Sequence, residues 1–545
     1  MRLFLRADGR MLFWTGLKGT LMEVKLHEGA ISFEIILQTA PNLATFFIGE
    51  DRNQRFFLGT GDGLWMYDQG DRLKHYFKGE SIYYVFLDRE GNHWVSVKPW
   101  KLFLIKNIEA LVFDKRENTL PNTLIEQIEI LDTNRIAVRT FNAYVGIGNK
   151  DSIQFTQFQK DAYNQESFTF IEDELNWFVP ETRPPSPTKL YSLTGGKPQA
   201  HNQYIIPNGV QRLIYVNDTL GFARTADHQF ARIRFQNGRG KLEKVFAPTI
   251  RLIQIFPEDD TENVWITGFR GLYRWQSDSL YDMGHYLTKG LHPRYVKQQN
   301  DSMIWVVNYF DGVHLFKKKK DQSYTYEGLK CHVTNGQMLD IVGDNMFVGT
   351  RVGLYKYDMR DSVVKKYGAQ HGLTFEDISI VKRFKDDLWI GTTDGLQILP
   401  LHNNDVRVPP AVPPKMRIKR IAIQGRDTTL QHSFSLPHDQ NELSFELQAF
   451  SFRGGNTYSY EHRMLGIDTA WKSSPATSNL ITYYDLRPGN FQFQVRVKDR
   501  TGMYSESTSE IRLTIIPPYW ETIWFQALKG LGIAVLAGLL CGLYF

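Results

Sequence analysis

Residues 388–399 read LWIGTTDGLQIL, which is a large apolar residue among aliphatics, a Gly-Thr pair, two variable positions and a Gly-Leu step. The same order of residue types recurs in FVGTRVGLYKYD near Phe347, VWITGFRGLYRW near Trp265, FFLGTGDGLWMYD near Phe57 and LFWTGLKGTLMEV near Phe13. A pattern that returns this often along one chain indicates a repeated structural unit.

The spacing of the large apolar residue before each Gly/Thr pair gives the period of the repeat. These anchors lie about 42 residues apart wherever neighbours are visible: Phe13, Phe57, Trp94, Trp265, Trp305, Phe347 and Trp389. The gap between Trp94 and Trp265 is about four periods long. We therefore expect three weaker copies inside it, near RIAVRTFNAYVGI, LNWFVPETR...KLYSL and LIYVNDTLGFARTA, so that ten copies cover residues 1–400.

Each copy has the pattern of short strands separated by turns, as in IQIFPEDDTENVWITGFRGLYRWQ. A period of about 40–45 residues built this way is typical of β-propeller blades. One such sheet cannot bury both of its faces, so we expect neighbouring blades to stack, with the anchors in the core between them. In the first turn of the quoted copy, we expect the acidic run Glu258, Asp259 and Asp260 to be a solvated tip rather than a calcium site.

The composition predicts a folded protein without a nucleic-acid partner. The chain has 545 residues, of which 42% are hydrophobic and 23% are charged, as is ordinary for folded proteins. A net charge of +5 is weak for this length and leaves no basic stripe for nucleic acid. With only two cysteines, Cys331 and Cys541, we expect no disulfide framework.

The two ends of the sequence differ in character. The amino terminus, MRLFLRADGRMLFWTG, lacks the apolar run and cleavage site of a signal peptide. The last segment, WFQALKGLGIAVLAGLLCGLYF, carries one charged residue, Lys529, and has the length and apolarity of a membrane-spanning helix. We expect Tyr519, Trp520 and Trp524 to lie at the membrane interface and the sequence to be an internal piece of a longer protein.

A second domain follows the repeats. After the Pro-rich segment VRVPPAVPPK come alternating strands such as LSFELQAF and FQFQVRVKD, separated by Gly, Pro and Asn turns over about 100 residues. This pattern is typical of a two-sheet sandwich of the immunoglobulin type.

Both domains resemble modules of one family of bacterial sensors. The phrase WIGTTDGL, with the preceding connector YGAQHGLTFEDISIV, is similar to the two-component regulator propeller repeat. The second domain resembles the triple-tyrosine (Y_Y_Y) domain that follows such propellers immediately before the membrane. The matching positions are Leu465, Gly466, Ile467, Asp468, Trp471, Tyr483, Leu486, Pro488, Gly489, Asn490, Pro517 and Pro518. His462 and Phe491 stand where the family has tyrosines, so they keep the ring and lose the phenol.

The resemblance implies the extracytoplasmic region of a hybrid two-component sensor histidine kinase. In that family, two seven-bladed propellers and a triple-tyrosine domain precede one membrane helix and a cytoplasmic kinase, and oligosaccharides are common ligands. We therefore expect an all-β fold divided into a partial propeller of about three blades (1–105), a complete seven-bladed propeller (106–400), a Pro-rich linker (401–415), an immunoglobulin-like triple-tyrosine domain (416–517) and an incomplete transmembrane helix (522–545). We further expect a homodimer in the bacterial inner membrane, with residues 1–520 in the periplasm, an oligosaccharide or other small ligand, and no cofactor.

The variable pairs inside the repeated turns are the candidate ligand contacts. If the first strand of each blade is innermost, these turns and the connectors between blades open on the same face of the propeller, where residues can vary without disturbing the sheets. The candidates are Phe269, Arg270, Tyr309, Phe310, Arg351 and Asp394. Aromatic and charged side chains suit sugar rings and uronate groups.

Three alternatives stay open at this point. The segment DREGNHW resembles the Asp-box of sialidases, although its spacing differs, so a membrane-anchored propeller enzyme acting on glycans is one alternative. The others are a sensor with a DNA-binding output and a scaffold that binds proteins. The sequence has no His-Glu-x-x-His, Gly-x-Ser-x-Gly, Cys-x-x-Cys or Walker A motif, so we expect no catalytic residue and no metal site in this region.

Overall fold

The chain folds almost entirely as β-strands, with one long helix near its carboxyl terminus. The computed structural model describes residues 2–6, 9–15, 19–27, 30–38, 44–51, 54–67, 73–114, 120–141, 144–157, 167–171, 174–179, 189–193, 199–200, 205–207, 209–225, 227–246, 252–258, 262–287, 290, 292–368, 371–407, 413–452, 458–499, 503–505 and 509–544. The chain divides into two compact units, residues 1–87 with 93–409 and residues 88–92 with 410–545. The predicted all-β fold class is confirmed.

Three antiparallel sheets form the amino-terminal part of the first unit. Sheet A contains β1 (Arg2–Leu5), β2 (Met11–Thr15), β3 (Thr20–His27) and β4 (Ala30–Gln38). Sheet B contains β5 (Thr45–Glu50), β6 (Phe56–Thr60), β7 (Gly63–Tyr67) and β8 (Leu73–Tyr76). Sheet C contains β9 (Ile82–Leu87), β10 (His93–Val97) and β11 (Lys101–Ile105).

Sheet A packs on sheet B through residues one position away from the predicted anchor. Leu12 and Trp14 are buried between the two sheets, whereas Phe13 is only half-buried, so the prediction of Phe13 as the anchor is wrong. The strand register differs here: Thr15 pairs with Thr20, whereas Thr60 pairs with Gly63 in sheet B, and in sheet A the phrase is offset by one residue from the inward-facing positions.

Sheet C packs on sheet B with one face only. Val95 and Val97 are buried against the apolar side of sheet B. The anchor Trp94 lies on the opposite face and is half-buried, beside Tyr84 and Phe86, which are 56% and 53% exposed. The repeat therefore leads to an inter-sheet core only where a following sheet covers the anchor.

Seven further sheets, named blades 1 to 7, follow the short strand β12 (Leu111–Phe113). Blade 1 contains β13 (Ile125–Ile130), β14 (Ile136–Thr140), β15 (Tyr144–Asn149) and β16 (Ser152–Gln157). Blade 2 contains β17 (Ser167–Ile171), β18 (Glu174–Val179), β19 (Lys189–Ser192) and β20 (Gln199–Ala200). Blade 3 contains β21 (Val210–Asn217), β22 (Leu220–Thr225), β23 (Phe230–Gln236) and β24 (Arg239–Phe246). Blade 4 contains β25 (Leu252–Pro257), β26 (Val264–Gly268), β27 (Gly271–Gln276) and β28 (Ser279–Asp282). Blade 5 contains β29 (Pro293–Asn300), β30 (Met303–Asn308), β31 (Gly312–Lys318) and β32 (Tyr324–His332). Blade 6 contains β33 (Gly336–Val342), β34 (Asn345–Thr350), β35 (Gly353–Asp358) and β36 (Val364–Tyr367). Blade 7 contains β37 (Ile378–Phe384), β38 (Asp387–Thr392), β39 (Leu396–His402) and the short β40 (Asp405–Val406), and a 3₁₀ turn (Gly284–Tyr286) precedes blade 5.

The seven blades close into a ring whose innermost strand is the first strand of each blade. These first strands contact each other in chain order, and β13 contacts β37 to complete the circle. Strand β12 pairs antiparallel with β39 and so adds a fifth strand to blade 7 from the other end of the propeller sequence. Hydrogen bonds reinforce the junction, including one of 2.6 Å from the Ser379 hydroxyl to the Ile125 carbonyl.

The anchors form the cores between blades, as the repeat predicts for this ring. Trp265, Phe347 and Trp389 are at most 1% exposed, and each packs against the following blade. In two of the weaker copies, the fully buried Ala137 and Phe222 take the anchor position. The cores beside these weaker blades are therefore formed by apolar residues that the repeated phrase does not specify.

The Gly-Thr pair of the phrase has a separate role for each residue. The Thr392 hydroxyl donates to the Gly395 carbonyl at 2.7 Å and accepts from the Asp394 amide at 3.1 Å, and Thr60 and Thr350 make the same bonds in their own turns. A Cβ on Gly391 would lie 2.6 Å from Cγ2 of Ile125 in blade 1. The glycine therefore permits close blade packing, and the threonine closes the hairpin turn.

The prediction that the acidic run in blade 4 is solvated is wrong for Glu258. This residue is 3% exposed and accepts hydrogen bonds from Trp265 Nε1 at 2.9 Å and Arg274 Nε at 2.6 Å. Asp259 and Asp260 lie outside the described residues. Glu258 therefore neutralises a buried arginine and fixes the anchor Trp of its blade.

The second unit is a two-sheet sandwich. One sheet contains β41 (Lys415–Ile423), β42 (Arg426–Thr428), β44 (Leu443–Phe450) and β47 (Leu480–Tyr483); the other contains β43 (Ser433–Pro437), β45 (Tyr458–Leu465), β46 (Lys472–Pro475), β48 (Gly489–Asp499) and β49 (Ser509–Ile516). Strand β43 pairs parallel with β49, and the other pairs are antiparallel. Phe445 and Phe493 stack across the core with ring centroids 3.9 Å apart.

A 3₁₀ turn (Tyr519–Glu521) and the helix α1 (Ile523–Tyr544) end the chain. Within α1, the 19 residues Ile523–Cys541 have a mean hydropathy of 1.7 and none of them is buried within the chain. By length and composition this helix can cross a membrane.

Candidate functional site

The turns that carry the candidate residues and the connectors between blades lie on one face of the seven-bladed ring. In blade 5, the turn residue Tyr309 donates its amide to the carbonyl of His292, which lies in the connector before β29, at 3.0 Å. The Asn335 amide of the next connector donates to the Tyr309 carbonyl at 2.7 Å. The turn of blade 5 is thus hydrogen-bonded to the connectors on both sides of it, and we call the face of the ring that carries these turns and connectors the turn face.

Three candidate aromatic residues meet around His292 on the turn face. The ring centroid of His292 lies 4.6 Å from that of Phe269, 5.4 Å from that of Tyr309 and 5.8 Å from that of Phe310. Phe269 and Phe310 are 53% and 51% exposed, whereas His292 is buried beneath them. The group of Phe269, His292, Tyr309 and Phe310, called the aromatic cluster below, therefore offers ring faces to solvent around a polar base.

The base of the aromatic cluster contains two buried nitrogen atoms that lack hydrogen-bond partners among the described residues. They are Nε2 of His292 and Nε of Arg294, whose guanidinium lies 5.5 Å from the Tyr309 ring centroid. Burial, and then the charge of Arg294, lowers the pKa of His292 below its ordinary value of 6.5, so the imidazole is neutral at pH 7. A neutral imidazole and a guanidinium can both hydrogen-bond to the hydroxyls of a ligand that stacks on the rings.

A buried hydrogen-bond network fixes the turn of blade 5 that carries Tyr309 and Phe310. Asp311 accepts from Asn308 Nδ2 at 2.6 Å and lies 2.9 Å from His314 Nε2. The other nitrogen of His314 lies 2.8 Å from the Tyr326 hydroxyl. Gly312, at φ +130°, completes the turn, and a Cβ there would lie 2.0 Å from the Cys331 carbonyl oxygen. Because each group in this network is held, the rings of Tyr309 and Phe310 are presented on a rigid support.

The other candidate residues differ in their relation to the cluster. Burial, and then the charge of Arg351, lowers the pKa of Arg294, so these two arginines are close enough for their charges to interact. Arg270 and Asp394 are exposed on the turns of blades 4 and 7, and the structure gives neither a contact with the cluster. The structure therefore brings together Phe269, Tyr309 and Phe310, places Arg351 close by, and leaves Arg270 and Asp394 apart from them.

Sequence reasoning missed His292 and Arg294. Both lie in the segment HPRY at the start of β29, where a connector enters an innermost strand. The expectation that connectors share the face of the turns was sufficient to point to such positions. No motif singles them out, because their role depends on the rings that surround them.

The triple-tyrosine pattern of the sandwich also forms a polar cluster. The Tyr483 hydroxyl donates to Asp468 Oδ2 at 2.7 Å, and His462 lies 3.3 Å from both the Tyr483 hydroxyl and the Ser474 hydroxyl. Burial alone would raise the pKa of Asp468, but hydrogen bonds from Lys472, the Met464 amide and Tyr483 lower it below its ordinary value. His462 thus has hydrogen-bonding partners as well as a ring in the core of the sandwich.

Comparison with known proteins supports the assignment of both units. Residues 451–515 match the Y_Y_Y domain family. Histidine kinase P4 of Formosa agariphila is 23% identical over 231 residues, which cover 39% of this chain and 16% of that protein, so this chain spans about a sixth of the length of that relative.

Two solved structures are similar over almost the whole chain. The extracellular domain of a hybrid two-component system from B. thetaiotaomicron has a TM-score of 0.64 at 14% identity, covering 95% of this chain and 72% of that one. A second such domain from the same organism has a TM-score of 0.44 at 16% identity, covering 95% and 75%. Residues 451–515 are therefore a Y_Y_Y domain, and the chain has the propeller fold found in the extracellular domain of a hybrid two-component system.

Proposed function

We propose that this chain is the extracytoplasmic ligand-sensing region of a membrane-bound two-component sensor, and that it signals to a histidine kinase in the same protein. The aromatic cluster carries this proposal, because exposed rings lie above buried nitrogen atoms that have no hydrogen-bond partner among the described residues, which suits a binding surface better than a packing surface. The fold and the membrane-competent helix α1 support it. In this arrangement, residues 1–520 lie in the periplasm and α1 crosses the inner membrane of a bacterium.

We assign an oligosaccharide as the ligand. The rings of Phe269 and Phe310 can stack on the apolar faces of sugar residues, while His292 and Arg294 can bond to sugar hydroxyls. Arg351 at the edge of the cluster suits an acidic sugar residue. The glycan-active enzyme, the protein-binding scaffold and the sensor with a DNA-binding output stay as alternatives, and none of them has a specific observation in its favour.

The signalling step requires two arrangements of a homodimer. A ligand changes the balance between them only if it binds one arrangement more tightly than the other. We propose that binding on the turn face favours one pairing of two chains, and that the Y_Y_Y domain passes this pairing to α1.

Binding measurements on the purified full chain test the ligand assignment. Short soluble oligosaccharides, neutral and uronate-containing, are titrated against the wild type and against Tyr309→Ala and Phe310→Ala. Each variant should weaken binding about tenfold, since each removes a ring from the centre of the contact. Tyr281→Ala is the matched control, because Tyr281 is 51% exposed but lies on the outer strand β28. Equal affinity in the wild type and both cluster variants would contradict the proposal.

A further inference from the structure

The seven innermost strands enclose a second site, a central cavity of about 340 Å³ that is distinct from the turn-face cluster. Every one of β13, β17, β21, β25, β29, β33 and β37 contributes side chains to its wall. Such a volume lies at the lower end of the range for small-molecule sites. The charges along the wall indicate which molecule would fit.

The wall of the cavity carries two glutamates and two arginines, and one of the arginines forms no salt bridge among the described residues. The two glutamates in its wall are already paired, Glu126 with Arg139 at 2.6 Å and Glu129 with Lys382 at 2.7 Å. Arg212 also lines the cavity, and its buried Nε has no hydrogen-bond partner among the described residues. The charge of Glu129 acts on Arg212 from a distance, but Glu129 forms its salt bridge with Lys382 instead.

A second arginine, Arg224, lies directly opposite Arg212 on the neighbouring strand. Arg212 on β21 and Arg224 on β22 are partners in the strand register, and like charges at such positions destabilise a sheet. Burial, followed by the charges of Arg224 and Arg139, lowers the pKa of Arg212 to about 10. Like charges at paired positions break a rule of strand pairing, and such breaks are expected at functional sites.

Uncharged donors in the same wall also lack partners. Thr169 is 3% exposed, and its hydroxyl has no hydrogen-bond partner among the described residues. The same is true of Nε2 of Gln337. Thr169 belongs to blade 2 and Gln337 to blade 6, on opposite sides of the ring. A ligand that fills the cavity can therefore accept bonds from both sides.

We propose that the central cavity binds a small organic carboxylate, with Arg212 pairing its negative charge and with Thr169 and Gln337 hydrogen-bonding to the rest of the molecule. A carboxylate forms a bidentate pair with a guanidinium, and Arg212 is the arginine of the wall that has no salt bridge among the described residues. The volume accommodates one acidic monosaccharide or a molecule of similar size. This site does not depend on the turn face, and the two assignments can fail separately.

The test uses thermal unfolding of the purified full chain, followed by tryptophan fluorescence. Sodium glucuronate is titrated, and glucose, acetate and inorganic phosphate are titrated at matched ionic strength. We expect a saturable rise in melting temperature with glucuronate, no effect of glucose, and at least a tenfold loss of apparent affinity in Arg212→Gln. Thr169→Val should weaken binding several-fold, while Tyr281→Ala on the outer strand β28 should leave it unchanged.

The ligand-free stability of Arg212→Gln distinguishes a binding role from a structural one. Removing a repelled charge should leave the melting temperature without ligand equal to or above that of the wild type. Arg135→Gln is the matched control. Arg135 does not line the cavity, and its Nε lies 2.7 Å from Oδ2 of Asp132. The proposal is overturned if glucuronate gives no saturable shift, if glucose or phosphate binds as well as glucuronate, or if Arg212→Gln binds glucuronate like the wild type.

Discussion

At the scale of single residues, His462 connects the stability of the Y_Y_Y domain to pH. Burial, and then the charge of Lys472, lowers the pKa of His462 in the folded chain below its ordinary value of 6.5. The unfolded chain therefore binds this proton more readily than the folded chain does. The stability that depends on a neutral His462 is fully present above pH 6.5 and should be lost as the pH falls through the pKa of the folded chain. The free energy of unfolding should then decrease by up to about 1.4 kcal/mol per pH unit.

The substitution His462→Phe tests this linkage. Phenylalanine keeps a ring in the core but cannot be protonated, so the contribution of residue 462 to the pH dependence should disappear even if the hydrogen bonds to Tyr483 and Ser474 are lost. Urea unfolding of the full chain between pH 7 and pH 5 measures the difference in slope between the variant and the wild type. His432→Gln, at an exposed position, serves as the control. An unchanged slope in His462→Phe would show that another group titrates.

Single residues also show where sequence reasoning reached its limit. The phrase predicted that Trp389 would be a core residue, because a large apolar residue at every period has to be covered by a neighbour. It could not show that Glu258 is buried, because the partner that neutralises it, Arg274, belongs to a different strand. It also placed the anchor of sheet A at Phe13, since the strand register cannot be read from the motif.

At the scale of elements, the three-residue strand β12 closes the seven-bladed ring. Leu111 and Phe113 are partly buried against the core between blades 7 and 1, and they pair with Ile398 and Leu396. The period predicted the blades, but it gave no signal for β12, because so short a strand has no pattern of its own. Its pairing is determined by the open edge of blade 7.

Replacing both Leu111 and Phe113 with serine should loosen blade 7 locally. Amide hydrogen exchange should become at least about tenfold faster in β39, which corresponds to about 1.4 kcal/mol of lost protection. The strands β30 and β34 in blades 5 and 6 are internal controls, and their exchange should change little. Uniform acceleration in every blade, or no acceleration in β39, would contradict a closing role for β12.

At the scale of the whole molecule, the sequence predicted which face carries the candidate ligand contacts, but not which residues come together there. Topology alone places the turns and connectors of a propeller on one face, so Tyr309 and Phe310 could be proposed from their positions in the repeat. The aromatic cluster depends on contacts between blades 4 and 5, and the central cavity depends on all seven blades. No single repeat contains the information for either site.

The central claim is that a ligand on the turn face changes how two chains pair at the membrane. Disulfide cross-linking in membranes tests it, with Thr522→Cys as the reporter beside α1 and Cys541→Ser to remove the exposed native thiol; Cys331 is buried. The oligosaccharide that binds most tightly in the titrations should change the yield of cross-linked dimer by at least about twofold, and Tyr309→Ala should abolish that change. An unchanged yield under conditions where the oligosaccharide is bound would contradict the account.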